Sequence, residues 1–202
     1  MALRRVSIIM TACLLPVSAA IACPTKDDLP RTIVLVQNAP TFVRTDYETA
    51  GADLFFRTEM RIGPSVIVES GYLAHPFAPV ETALNGAVET VTYSGDPAVF
   101  DHLDQIGHHR IEGTKTLPSG ATQPHFVEAR FAGTGRVELA ECQYDVWHVD
   151  LVQPGGPNGD IAARVDFAPA LGLILGITLT SAANQQPLVH YQWIGTGDDV
   201  AR

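Results

Sequence analysis

Histidine and carboxylate side chains gather once in this chain: Asp101, His102, Asp104, His108 and His109 fall within nine residues. Imidazole and carboxylate are the ligands that Zn²⁺ accepts, so His102, His108 and His109 are the candidate metal ligands. The spacing works against them. His102 and His109 are seven apart and would share a helical face only if a helix ran through Gly107. The plainer reading is a polar helix terminus whose histidines interact with the C-terminal dipole. A second group is His148 with Asp150 and Tyr144, which alternate onto one face of a strand and could exchange protons; a hydrogen-bonded pair with no chemical role is the favoured reading. His190 and Gln192 repeat that pattern near the C-terminus. Ser94 and Ser119 lie in turn sequences with no base beside them, which disfavours nucleophilic catalysis.

Established catalytic signatures are missing from the sequence. There is no G-x-S-x-G, H-E-x-x-H, C-x-x-C, Walker A or Rossmann glycine pattern. Gly113-Thr114-Lys115-Thr116 lacks the glycine spacing of a phosphate loop and reads as a strand with alternating polar residues. No cofactor is implied, zinc at the three histidines being the alternative.

The elements that must position these groups are strands. Leu54 to Ile62 alternates, with Phe56, Thr58, Met60 and Ile62 on one face and Phe55, Arg57, Glu59 and Arg61 on the other. Gly63-Pro64 turns it into Ser65–Leu73, and Asn85-Gly86 supplies the positive φ angles of a tight hairpin within Val80–Tyr93. Further strands are expected over His109–Leu117, His125–Ala132, Arg136–Leu139, Cys142–Val152, Ile161–Phe167, Leu173–Thr180 and Pro187–Ile194. Gly133-Thr134-Gly135 would be a turn between two of them. Both faces of the Cys142 strand carry apolar residues. One short α-helix is expected, with Asp96 as cap, Pro97 at its first position, Val99, Leu103 and Ile106 on one face, and Gly107 ending it. About nine antiparallel strands with one helix make a mainly β fold: a large curved sheet, half-barrel or barrel-like.

The N-terminal segment has the design of an export signal. Arg4 and Arg5 precede a mostly apolar Val6–Val17 stretch, and Ala20-Ile21-Ala22 fits a cleavage site. The stretch is too short to span a bilayer and contains Pro16. Residues 1–22 are therefore read as a cleaved signal peptide, and residues 23–202 as a single β-rich domain. Cleavage removes two arginines and no acid, so the formal charge moves from −9 to −11. Such acidity excludes nucleic acid as the main partner, because phosphate binding rests on Lys and Arg.

Of three cysteines, Cys23 and Cys142 remain after cleavage. An even count in an oxidising compartment suits a disulfide closing a loop of about 120 residues. Small residues before Cys23 also suit lipidation of that residue, which would leave Cys142 unpaired; two free thiols are the third option.

The start Cys23-Pro24-Thr25 with Asp28-Leu29, and the strand Cys142-Gln143-Tyr144-Asp145-Val146-Trp147, resemble segments of small exported β-sheet proteins of alphaproteobacteria whose function is unknown. Phe167-Ala168-Pro169-Ala170-Leu171-Gly172-Leu173 is similar to a strand–turn–strand in periplasmic proteins of that kind. The resemblance implies exported β structure and a Cys23–Cys142 pair, and it implies no activity.

A curved sheet covered by one short helix leaves room on its concave side, and aromatic residues occur on nearly every strand. The leading expectation is thus a periplasmic or secreted binding module that takes an apolar small molecule or a protein segment, with Tyr144, Val146, His148 and Phe167 as ligand-binding candidates. Two other classes stay open: an envelope-assembly factor acting through a sheet edge, and a metal-assisted enzyme at His102, His108 and His109.

Overall fold

The computed structural model describes residues 23–155, 159–180 and 185–200; the expected signal segment, residues 1–22, lies outside them. Among the described residues, thirteen strands form one antiparallel sheet. They are β1 Ile33–Gln37, β2 Phe42–Ala50, β3 Asp53–Ile62, β4 Ser65–His75, β5 Ala78–Leu84, β6 Ala87–Tyr93, β7 His108–Thr116, β8 Thr122–Leu139, β9 Cys142–Pro154, β10 Asp160–Ala168, β11 Leu173–Thr180, β12 Gln185–His190 and β13 Trp193–Thr196. From β1 to β12 each strand lies beside its sequence neighbour, and β13 returns to pair with β1.

That return reveals the curvature. β12 and β13 occupy opposite edges of the sheet, yet only Tyr191 and Gln192 separate them. The Tyr191 amide still donates to Leu175 of β11 (3.4 Å), while the Gln192 amide donates to Val36 of β1 (2.8 Å). Two residues of extended chain span only about 7 Å, so the sheet bends until its edges meet at this corner. No ladder joins β12 to β13, and the sheet is not a closed barrel.

Local sequence accounts for the turns. Asn85 and Gly86 have φ of 50° and 89°, as a two-residue hairpin between β5 and β6 requires. Asp96 caps a 3-10 helix, Pro97–His102, by accepting from the Ala98 amide at 2.9 Å. This runs into a single α-helical turn, α1, Leu103–Ile106, ended by Gly107 at φ 76°. The expected helix is therefore present but mostly 3-10. Two further short helices, a 3-10 segment Lys26–Arg31 and α2 Gly197–Val200, carry too little periodicity to be foreseen.

Two expectations need correction. Gly133-Thr134-Gly135 is not a turn: β8 runs unbroken through it, with a bulge between Phe131 and Gly133 against β9. Gly135 leaves room there for the His148 ring of β9, which a Cβ would force to shift. Pro187–Ile194 is not one strand, since the chain changes partners at Tyr191–Gln192.

Two apolar clusters form the core, on opposite faces of β9. Cys142, Tyr144 and Val146 pack with Leu29, Ile33, Leu35, Leu171 and Leu173. Beyond, Val149 and Leu151 pack on the concave face with Phe77, Phe100, Leu103 and Phe167. The apolar side of the 3-10/α1 segment thus plugs one end of the concavity. Cys23 and Cys142 are disulfide-bonded, with a Cα–Cα distance of 5.5 Å and a sequence separation of 119. Among the described residues, no helix is long and apolar enough to cross a membrane.

Candidate functional site

Because alternate side chains of every strand face inward, residues from β3 to β12 converge on one cavity of about 440 Å³. Its floor is apolar: Phe77, Leu151, Val165, Ile174 and Ile177. Beneath it the plug is a cluster of rings, with Phe77 lying 5.7 Å from Phe100 and 5.0 Å from Phe167. His75 sits among these rings, its Nδ1 accepting from the Phe77 amide at 3.1 Å. Burial holds the His75 imidazole down at about 4, against an upward pull from the Asp101 carboxylate 3.7 Å away. It is neutral at physiological pH.

The turns joining β3 to β4, β5 to β6, β7 to β8 and β9 to β10 lie at the end remote from the plug. At that end the lining becomes polar, with Glu69, Glu89, Lys115, His125 and Gln153, while the exposed Ile161 and Leu188 mark an open mouth. Register explains the grouping. Val91 of β6 is opposite Lys115 of β7, which puts Glu89 on the diagonal, and Lys115 Nζ lies 2.8 Å from Glu89 Oε2. His125 of β8 is opposite Gly113 of β7, so no side chain covers the imidazole from that position.

His125 is only 4% exposed, and both ring nitrogens lack a hydrogen-bond partner. Burial lowers its pKa, Lys115 lowers it further, and Glu89 opposes both. Burial raises the pKa of Glu69. The Tyr93 hydroxyl donates to the Pro79 carbonyl at 3.1 Å, and its ring stands 6.0 Å from that of His125. An apolar pocket with a few polar groups at one end can hold a molecule with an apolar body and a polar head.

The residues singled out from sequence lie elsewhere. Tyr144, Val146 and His148 are on the face of β9 opposite Leu151 and Gln153, which line the cavity. The Tyr144 hydroxyl is buried and donates to the Pro24 carbonyl at 3.0 Å. Val146 borders a separate hollow with Thr134, Trp147 and Pro169. His148 pairs through Nδ1 with Asp166 at 2.7 Å, not with Asp150, which is held by Arg164. Phe167 is on the concave face, under the cavity floor. His102 is exposed at the end of the 3-10 helix. His108 and His109 are consecutive in β7 and point to opposite faces: His108 Nε2 is 3.1 Å from Glu128, and His109 meets the Phe100 ring edge-on. These three do not converge, and no group of three or more His, Cys, Asp or Glu among the described residues is arranged to hold a metal ion.

Sequence reasoning missed Glu69, Glu89, Lys115 and His125. One signal was available. His125 has the parity of Val127 and Ala129, both fully buried, so it is a polar residue on the inward register of its strand.

Comparison of the chain with protein-family models, with curated proteins and with solved structures finds no match.

Proposed function

We propose that the protein is an exported, non-enzymatic binding module that carries an apolar small molecule in the cavity of its curved sheet. The observation that supports this is the cavity itself: about 440 Å³, within the usual range for ligand sites, apolar at its floor and open at a polar mouth. The signal-like segment 1–22 and the Cys23–Cys142 bridge support a periplasmic or secreted location, where disulfides persist. That bridge uses the Cys23 sulfur that a lipid anchor would need.

The test is uptake of an environment-sensitive apolar dye and its displacement by long-chain amphiphiles. Ala163 lines the cavity with a methyl group, so Ala163→Trp fills the space without removing an existing contact. Wild type should bind dye, and the variant should bind at least about tenfold more weakly. Equal binding by both, or no uptake by wild type at roughly 100 µM, would refute the assignment.

A further inference from the structure

Among the described residues nine large apolar side chains are exposed. Six of them, Ile62, Val66, Leu84, Val88, Ile161 and Leu188, stand at the ends of β3, β4, β5, β6, β10 and β12 that surround the cavity mouth. Each is 43–55% exposed. Single exposed apolar residues need no explanation, but a set gathered around one opening marks a contact surface.

The polypeptide around them is uncharged. Strands are joined at this end through residues 37–43, 62–68, 82–88, 116–124, 151–159 and 179–189, and none of these segments contains Asp, Glu, Lys or Arg. Fifty residues at the chain's 17% charge would hold about eight. Arg61, paired with Glu59, and Asp160 flank the rim, and Glu89 and Lys115 face one another inside it. The opposite end differs, with Asp96, Asp101, Asp104 and Glu141 in its connections.

Area, shape and charge select the occupant. Half-exposed, the six side chains offer on the order of 500 Å², below the about 800 Å² per partner that a stable protein–protein interface buries. They are knobs on separate hairpins around an opening, which a fluid surface fills more readily than a rigid one. The formal charge of −9 disfavours both a second copy of the chain and an anionic surface. A bilayer with uncharged or zwitterionic head groups needs no minimum area and no matching shape, and it brings no net charge.

We infer that the mouth docks on such a bilayer, its apolar rim inserted at the hydrocarbon boundary so that the cavity opens toward the acyl chains. This deepens the cavity reading above and rests on it for the cargo, which passes between bilayer and cavity without crossing water. The apolar carbon presented is roughly that of one acyl chain, and a single myristoyl chain binds membranes with a constant of only about 10⁴ M⁻¹. Docking is therefore reversible, as a carrier requires.

The test is flotation of the oxidised protein with phosphatidylcholine vesicles. Half of the wild type should float at about 0.1 mM lipid, and replacing about a third of the lipid by phosphatidylglycerol should weaken binding. Ile62→Ser, Val66→Ser, Leu84→Ser and Val88→Ser combined strip the rim without altering the cavity lining. They should weaken flotation at least about a hundredfold, and Leu84→Asp alone about tenfold. Ile106→Ser with Val200→Ser, exposed at the opposite end, should change nothing. Dye uptake without vesicles should be unchanged in every variant, which reports an intact fold and cavity. No flotation at about 1 mM phosphatidylcholine overturns the inference, as does flotation unaffected by the rim substitutions or strengthened by phosphatidylglycerol. A dimer in light scattering, in place of flotation, overturns it too. In each of these cases dye uptake by wild type leaves the cavity reading standing, whereas flotation without dye uptake overturns that reading and leaves the docking rim.

Discussion

Replacing Cys23 by Ala should lower the melting temperature by about 10–20 °C. Cys23 is exposed, so its removal opens no cavity and leaves Cys142 in the core as a buried thiol. The effect therefore falls almost entirely on the unfolded chain, which regains the freedom of a loop with a sequence separation of 119. The chain-entropy relation puts that freedom at about 5 kcal/mol for a loop of this length. For a domain of this size each kcal/mol shifts the midpoint by roughly 2–4 °C, which gives the stated range. The folded arrangement should persist, because Leu29 remains buried and Tyr144 still donates to Pro24. Thermal unfolding followed by circular dichroism on Cys23→Ala, on wild type and on wild type with reductant measures the loss by two routes. A drop of less than about 3 °C in both would refute the entropic argument.

Other perturbations follow from the same geometry. The His75 imidazole titrates at about 4 when folded and near 6.5 when unfolded. Below pH 6.5 the unfolded chain takes up this proton first, so stability falls as pH drops toward 4, by about 2–3 kcal/mol at pH 4.5. His75→Gln keeps an acceptor for the Phe77 amide and removes the titration, so urea midpoints at pH 7 and 4.5 should differ less than in wild type; parallel pH profiles would count against a neutral buried His75. Gly71 of β4 lies where a methyl group would overlap the Glu81 carbonyl of β5. Gly71→Ala should cost about 3 kcal/mol by denaturant titration, and an unchanged midpoint would show that the β4–β5 pairing yields at little cost.

Much of the fold could be read from residue order because hairpins are local. The alternation of Leu54–Ile62, the Asn85-Gly86 turn and the Asp96-Pro97…Gly107 punctuation each depend on neighbours within a few residues, and each matches the structure. Features set by distant residues were hidden. Gly133 and Gly135 have turn chemistry in isolation, and only the His148 ring across the strand explains Gly135 inside β8. Tyr191–Gln192 continues the pattern of Pro187–Ile194, and what divides it is Val36 of β1, more than 150 residues earlier. The cavity mouth was obscured for the same reason. Glu69, Glu89, Lys115 and His125 come from four strands, and their meeting depends on registers that no single segment encodes. The histidines that do cluster in sequence, His102, His108 and His109, are separated by strand alternation and a helix end.

The pairing of β1 with β13 also bears on how the chain acquires its structure. Ile33–Val36 find their partners at Trp193–Thr196, and the cluster around Leu29 and Ile33 is completed by Val189, Tyr191 and Ile194. The local hairpins of the meander can form early, but this high-contact-order closure must wait for residues near the C-terminus. A chain threaded through a membrane from its N-terminus would emerge with β1 lacking one neighbour, and its edge would stay open until β13 followed. Folding would then be completed on the far side, after translocation, with the Cys23–Cys142 bond able to form before the final strand docks.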